Sequence, residues 1–325
     1  MRPAKLCFVL LGVLGCLVAA GCGSPGAPPD LVPITSVPRP QPQGAGEGAE
    51  NAASQGPGAD CGDPTASLRP NGKGVPGNST MGEIRRRGRL IAGVDQNTYL
   101  FGFRNPSTGA IEGFDIDMVR EVAEAILGDP NKVQYKVITS AEREKVLQNG
   151  DVDIVVRTYT INCARLREVN FSAAYYLAQQ RLVVEKNSPV TTVDELGGKR
   201  VCAAAGSTSL RRIAEHGANP VPMSVENWSD CLVMLQLGQV AAVSTDDTIL
   251  AGMLAQDPNL KMVGPRLAEE PYGIGIPQGK EDMVRFVNAV LSTAMNDGSW
   301  QASYGRWLGR TGQSAAAPPQ PKYRD

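Results

Sequence analysis

Between residues 81 and 310, the chain alternates between two patterns of apolar and polar positions. Short aliphatic or β-branched runs at 90–94, 133–138 and 152–156 predict buried strands. Apolar residues in the intervening segments recur three and four positions apart, as over 114–126, which predicts helices. This alternation of strands and helices predicts an α/β protein in which parallel sheets are covered by helices.

The same alternation recurs in the second half of this region. Further strands are expected at 198–203, 241–244 and 273–276, and further helices at 206–213, 229–237, 246–254 and 283–295, while the helix expected at 141–149 still belongs to the first half. A region of this length is enough for two small lobes. We therefore expect two successive α/β units within the chain of 325 residues.

The first 21 residues have the pattern of an export signal. Two basic residues, an apolar run over 6–20 and small residues at 19–21 precede Cys22. The apolar run is shorter than the ~20 residues that a membrane-spanning helix needs. The segment resembles a bacterial lipoprotein signal, in which the cysteine is diacylated and becomes the new N-terminus. We expect a lipid anchor at Cys22 on the outer face of the cell membrane. Ordinary cleavage that leaves a free Cys22 is the alternative.

Two segments lack the apolar residues that a folded core requires. Residues 22–80 are expected to form a flexible tether, because 23–77 contain eleven glycines and eleven prolines but few aliphatic side chains. Residues 311–325, which are also rich in proline, are expected to be a disordered tail.

Charge and cysteine content narrow the class of function. A formal net charge of −1 without a basic cluster argues against nucleic-acid binding. Of the seven cysteines, two lie in the signal and one is Cys22. The remaining four are Cys61, Cys163, Cys202 and Cys231. An even remainder in an exported chain favours disulfides over metal binding, since there is no CxxC motif and His216 is the single histidine. We expect no cofactor.

A polar loop follows the predicted strand at 152–156 and carries Thr158, Thr160 and Arg165. Ligands of open α/β sheets bind at the carboxyl ends of strands. A guanidinium can bind both oxygens of a carboxylate, and hydroxyl groups add weaker donors. The loop is therefore a candidate carboxylate site. An arginine in a surface salt bridge is the alternative.

Several ordered motifs together resemble one protein family, the family 3 solute-binding proteins, which are the amino-acid-binding proteins of ABC importers. The motifs are GFDIDM at 113–118, TxTxxxxR at 158–165, FSxxYY at 171–176, GSTS at 206–209 and DD at 246–247. The resemblance implies a two-lobed periplasmic-binding-protein fold of type II, with two α/β lobes joined by two hinge strands that close on an amino acid.

The resemblance also implies boundaries for the lobes. Hinge crossings are expected near 180–184 and 272–276. Lobe 1 would then comprise 81–180 and 273–310, and lobe 2 would comprise 181–272. Within lobe 2, one cysteine falls on a strand and one on an adjacent helix, so we expect a Cys202–Cys231 disulfide. Cys61–Cys163 is the residual pair.

The resemblance assigns both ends of a bound amino acid. Arg165, Thr160 and Thr158 match the family's clamp for the α-carboxylate, and backbone N–H groups of Ser207 and Thr208 at a helix start complete it. Asp246 matches the acceptor of the α-ammonium group. Asp247 is expected to be mainly a helix cap.

The side-chain pocket is assigned from a similar comparison. Ser140 and Arg143 resemble the SxxR motif of glutamate/aspartate binders, where they hold a distal carboxylate. The alternatives are that Arg143 pairs with Glu142 or Glu144, or lies on a solvated helix face. Asp95 could accept from an amide or share the ammonium group, and Arg157 is either a second carboxylate partner or part of an ion pair at the hinge. Trp228 packs on the ligand or within the core.

The resulting hypothesis is a monomeric, non-enzymatic binding protein for glutamate or aspartate, with glutamine and asparagine also tolerated. It would deliver its ligand to an ABC permease. Two alternatives stay open: a sensor that signals to a membrane partner, and an enzyme similar to cyclohexadienyl dehydratases, which share the fold.

Overall fold

The computed structural model describes residues 40–48, 61–309 and 317–324. The predicted export signal, Cys22 and most of the predicted tether lie outside these residues. No helix among the described residues combines the length and the apolar character that crossing a membrane requires.

The described elements follow the predicted alternation. The strands are β1 (Gly46–Glu47), β2 (Ala66–Leu68), β3 (Leu90–Val94), β4 (Asn97–Thr98), β5 (Gly102–Arg104), β6 (Ile111–Glu112), β7 (Val133–Val137), β8 (Ile154–Val155), β9 (Asn170–Phe171), β10 (Tyr176–Glu185), β11 (Arg200–Ala204), β12 (Val221–Val225), β13 (Ala242–Asp246), β14 (Leu260–Tyr272), β15 (Gly275–Ile276) and β16 (Lys322–Arg324). The helices are α1 (Thr80–Arg87), α2 (Phe114–Leu127), α3 (Arg143–Gln148), α4 (Cys163–Leu166), α5 (Thr208–Ala214), α6 (Trp228–Gln236), α7 (Asp247–Gln256), α8 (Glu281–Asp297) and α9 (Ser299–Trp307).

Two main sheets define two lobes. The sheet of lobe 1 has the order β7-β3-β8-β15-β9, and the sheet of lobe 2 has the order β1-β12-β11-β13-β10-β14. The central strands are parallel, as predicted, because β3 pairs with β7 and β8, and β11 pairs with β12 and β13. Both sheets are nevertheless mixed, since β15 and β10 join them in antiparallel orientation. Each lobe has its own buried apolar core.

The two lobes are joined by the long strands β10 and β14, which pair with each other in antiparallel orientation. Tyr176 and Tyr272 lie in the core of lobe 1, whereas Val183 and Leu260 lie in the core of lobe 2. The second crossing is therefore complete before Tyr272, N-terminal to the expected position at 272–276. Prolines and charged residues in β14 interrupt the alternation of apolar residues that would have marked this strand.

The terminal segments are more ordered than the composition predicted. In the predicted tether, β1 pairs with β12 and β2 pairs with β16, which lies in the predicted disordered tail. Ser67 is buried and donates to the Phe171 carbonyl at 2.8 Å, while Lys322 pairs with Asp63 at 2.9 Å. These short strands are held by backbone pairing and individual polar contacts. The expectation of disorder at 46–47, 66–68 and 322–324 was therefore wrong.

Both expected disulfides are present. Cys202 on β11 is bonded to Cys231 on α6, and Cys61 is bonded to Cys163 at the start of α4. The second bond closes a separation of 102 residues and fixes residue 61 beside the helix that carries Arg165.

A buried carboxylate connects α2 to the polar loop after β8. Asp115 in the first turn of α2 accepts from the Thr158 N–H at 2.8 Å and from the Tyr175 hydroxyl at 2.6 Å. Thr158 has a φ of 40°, a left-handed backbone conformation that is uncommon for a threonine. Burial raises the pKa of Asp115 to about 7, although both hydrogen bonds oppose this rise. Asp115 therefore fixes the loop that carries the candidate site.

Residues of the two lobes also approach one another closely outside the hinge strands. The side chain of Asn97 donates to Asn227 at 2.9 Å across the cleft. A Cβ atom added to Gly252 on α7 would lie 2.6 Å from the Tyr99 carbonyl oxygen, and one added to Gly206 would lie 2.7 Å from the Cα atom of Ala141. Glycine at both positions therefore permits the observed approach of the lobes.

Candidate ligand-binding site

All eleven residues predicted for the ligand site are buried. Lobe 1 supplies Asp95, Ser140, Arg143, Arg157, Thr158, Thr160 and Arg165, and lobe 2 supplies Ser207, Thr208, Trp228 and Asp246. Their positions follow the strand ends and helix starts that the sequence motifs predicted.

Arg165 lies on α4 at the lobe 1 wall. Asn162 caps this helix by accepting from the Arg165 backbone N–H at 2.9 Å. The guanidinium donates to the Thr160 carbonyl at 2.7 Å and to the Gly206 carbonyl of lobe 2 at 3.0 Å, and its Nε lies 3.2 Å from a carboxylate oxygen of Glu144. Arg165 is therefore a buried cation that already reaches across the cleft.

Arg143 approaches the same carbonyl from α3. Its Nε donates to the Ser140 carbonyl at 2.8 Å, and its Nη2 donates to the Gly206 carbonyl at 3.1 Å. Both guanidinium groups lie over the ring of Tyr159, at 4.4 Å for Arg143 and 4.9 Å for Arg165. Burial and the neighbouring Arg165 lower the pKa of Arg143 to about 9. An anion between the two arginines would relieve this concentration of positive charge.

The proposed Ser140–Arg143 pair does not form one set of donors in the structure. The hydroxyl of Ser140 accepts from Arg157, whereas Arg143 donates to backbone carbonyls. Arg157 in turn pairs with Asp95 at 2.9 Å, and Asp95 also accepts from the Thr98 hydroxyl. Arg157 therefore forms an ion pair, but within lobe 1 and not at the hinge strands as expected, and Asp95 is engaged by groups of its own lobe.

Asp246 at the end of β13 lies on the opposite wall. Its Oδ2 accepts from the Tyr272 hydroxyl. Its Oδ1 is buried, and no donor among the described residues reaches it. Burial and then the negative charge of Glu270 raise the pKa of Asp246 well above its ordinary value. A buried carboxylate oxygen without a donor is suited to accept from an incoming ammonium group.

Asp246, and not Asp247, occupies the N-cap position of α7, without a capping side-chain hydrogen bond. The side chain of Asp247 accepts from the Gln179 N–H at 3.1 Å and from the backbone N–H of Thr248 in the first turn of α7. Asp247 therefore connects α7 to the hinge strand β10.

The start of α5 completes the lobe 2 wall. Ser207 is the N-cap, and its hydroxyl accepts from the Leu210 N–H at 3.0 Å. The backbone N–H of Ser207 donates to the Ala204 carbonyl at 3.1 Å, so the first turn beginning at Thr208 is the source of backbone donors for an anion. The hydroxyl of Thr208 donates to Glu270 at 2.8 Å.

Trp228 is buried at the start of α6, next to the Asn227 that contacts lobe 1. Its indole Nε1 has no hydrogen-bond acceptor among the described residues. Trp228 belongs to the buried apolar core of lobe 2, which agrees with the alternative that it packs within the core.

Several residues that contact the predicted site residues were not themselves predicted, among them Gly206, Tyr159, Glu144, Tyr272 and Glu270. Gly206 could have been found, because it opens the GSTS motif. The others carry no signal in the sequence that separates them from surface or core residues. Within the described part of the chain, no group of three or more His, Cys, Asp or Glu side chains could hold a metal ion.

Comparison with known proteins places this geometry in a family. Residues 90–310 match the model of bacterial extracellular solute-binding proteins, family 3. The glutamine-binding protein GlnH of an ABC transporter of Bacillus subtilis is 40% identical over 230 residues, which cover 70% of this chain and 84% of the relative. The glutamate-binding protein GluB of Corynebacterium efficiens is 31% identical over 238 residues, which cover 70% and 81%.

A solved structure supports the fold. The solute receptor for L-cysteine of Neisseria gonorrhoeae superposes with a TM-score of 0.70 over 74% of this chain and 100% of that structure. Its sequence identity is 22%, so this likeness concerns the fold alone. From the family match and the two curated relatives, we conclude that the chain belongs to the bacterial extracellular solute-binding proteins, family 3.

Proposed function

We propose that this protein is a lipid-anchored receptor that binds glutamine outside the cytoplasmic membrane and delivers it to an ABC permease. The observation that carries the proposal is the separation of opposite charges across the cleft. Arg165 and Arg143 face it from lobe 1, and the unpartnered Oδ1 of Asp246 faces it from lobe 2. A free amino acid carries a carboxylate and an ammonium group that match these two walls.

The partners of Arg157 and Arg143 indicate which ligand side chain the site prefers. Arg157 pairs with Asp95, and Arg143 donates to the Gly206 carbonyl. The distal carboxylate of glutamate would have to compete with these partners. The amide of glutamine both donates and accepts, so it requires no cation. The relative that is 40% identical, GlnH of Bacillus subtilis, is a glutamine-binding protein, which supports the same preference.

Delivery to a permease is supported by family membership and by the relative's place in an ABC transporter. Membership in a family of solute-binding proteins also favours capture of a ligand over catalysis.

Calorimetry with glutamine, glutamate, aspartate, asparagine, lysine and arginine tests the function. We expect glutamine to bind most tightly, with a micromolar dissociation constant, about −8 kcal/mol. Arg165→Ala should weaken binding of every ligand by about 30-fold to several-thousand-fold, because a buried charge loses its partner. The matched control is Arg167→Ala, an exposed arginine two residues along the chain, which should bind as wild type does. Preference for a basic ligand, or loss of a single ligand in Arg165→Ala, would contradict the proposal.

The lipid anchor is inferred from the small residues that precede Cys22. Cys22→Ala, expressed in a bacterium that processes lipoproteins, should move the protein from the membrane to the soluble or secreted fraction. Mass spectrometry of the wild-type N-terminus should show the acyl groups. A variant that stays in the membrane fraction with the mass of the wild type would rule out this anchor.

Gly252 offers a test of closure that involves no ligand contact. Gly252→Ala should favour helix α7 by up to about 1 kcal/mol. The added methyl group would collide with the Tyr99 carbonyl when the lobes close. If overpacking costs the closed form about 1–3 kcal/mol, glutamine affinity should fall by about 5- to 150-fold while stability without ligand is kept. Gly305→Ala in α9 is the control, because nothing lies within 4 Å of the added atom. Wild-type affinity in Gly252→Ala would show that this contact is not coupled to binding.

A further inference from the structure

Glu270 lies on the hinge strand β14 and is 1% exposed. Its carboxylate accepts from the Thr208 hydroxyl at 2.8 Å and pairs with the Arg212 guanidinium at 3.0 Å. Thr208 and Arg212 are four residues apart in α5, so they occupy the same face of that helix. One buried side chain of the hinge therefore holds the first two turns of α5.

Gln180 extends this network to the other hinge strand. Its amide oxygen accepts from Arg212, and its amide nitrogen donates to the Ser244 hydroxyl at 2.8 Å. Gln180 is also the register partner of Asp246 on β13. The contacts of Glu270 thus connect both hinge strands, α5 and the strand that ends at Asp246.

Glu270 also acts on Asp246 through its charge. Burial is the largest cause of the raised pKa of Asp246, and the negative charge of Glu270 is the second largest. The other groups that act on Asp246 are Tyr272 on β14, Asp247 on α7 and Arg143 on α3. Tyr272 and Arg143 lower its pKa, whereas Asp247 raises it.

We propose that Glu270 is a positioning residue for ligand binding, which holds the first turn of α5 at the hinge and places a second negative charge behind Asp246. This inference rests on the proposed function. The two carboxylates together attract the ligand ammonium group.

A pH dependence follows. Asp246 accepts from an ammonium group best as a carboxylate, so affinity is lost when the pH falls through its raised pKa and the group takes up a proton. We call the loss of affinity at falling pH the acidic limb of the plot of affinity against pH. Removing the charge of Glu270 lowers the pKa of Asp246, so the acidic limb moves to lower pH. Between about pH 4.5 and 7.5, glutamine keeps both of its own charges.

The experiment measures glutamine affinity against pH for wild type, Glu270→Gln and Glu269→Gln. Glu270→Gln is nearly isosteric and can still accept from Thr208. We expect its affinity near neutral pH to be about tenfold weaker, because a charged hydrogen bond to Arg212 is lost, and its acidic limb to lie at lower pH than that of wild type. Glu269 is the exposed neighbour on β14, so Glu269→Gln should match wild type in both respects.

Thr208→Val separates the effect of Glu270 on the position of α5 from the effect of its charge on Asp246. The variant removes the Thr208 hydroxyl and keeps the charge of Glu270. It should weaken binding without moving the acidic limb. An unmoved limb in Glu270→Gln overturns the inference even if affinity falls, since disturbed packing alone could lower affinity. If Glu270→Gln does not fold, a limb that moves in Thr208→Val overturns it. A wild type that binds no amino acid would instead refute the proposed function, so the two failures are distinguishable.

Discussion

Burial of unlike charges on the two walls of the cleft is the constraint on which the rest of this structure depends. Arg143 and Arg165 are each at most 2% exposed, and Asp246 is 4% exposed. Taking a charge out of water costs several kcal/mol unless protein groups replace the solvent. Carbonyl groups replace the solvent around the arginines, and the Gly206 carbonyl accepts from both guanidinium groups. Asp246 keeps one buried oxygen without a donor. The site is therefore partly compensated, and a zwitterion supplies what both walls lack.

The fold holds these charges in place through residues outside the eleven that were predicted to contact a ligand. Asp115 fixes the loop of Thr158, and Tyr159 lies beneath both guanidinium groups. Tyr272 reaches from the lobe 1 core to Asp246 across the hinge. The same strand carries Glu270, which holds α5. Each wall is thus supported by the hinge or by the core of its own lobe, so closure brings two preformed half-sites together.

Part of this arrangement could be predicted from the sequence. Apolar periodicity indicated the strand that precedes the loop of Arg165, whereas Asp246 and the start of α5 were assigned through the family resemblance. Both disulfides were confirmed. The partners of charged side chains could not be predicted. Arg157 pairs with Asp95, which is 62 residues earlier in the chain, and nothing local in the sequence specifies that contact. Glu270 precedes a proline in a charged segment, a context typical of the surface, although it is buried. The short strands β1, β2 and β16 depend on backbone pairing, which leaves no apolar pattern.

Binding of glutamine analogues by the wild-type protein tests the claim that both walls act on one zwitterion. The deaminated analogue lacks the ammonium group, and the decarboxylated analogue lacks the α-carboxylate. Both are smaller than glutamine, so neither should be excluded by size. Because each analogue leaves one wall with a buried charge unpaired, calorimetry should show that both bind at least about 30-fold more weakly than glutamine. If either analogue binds within a few-fold of glutamine, the corresponding wall does not recognise a charge, and this account of the site is wrong.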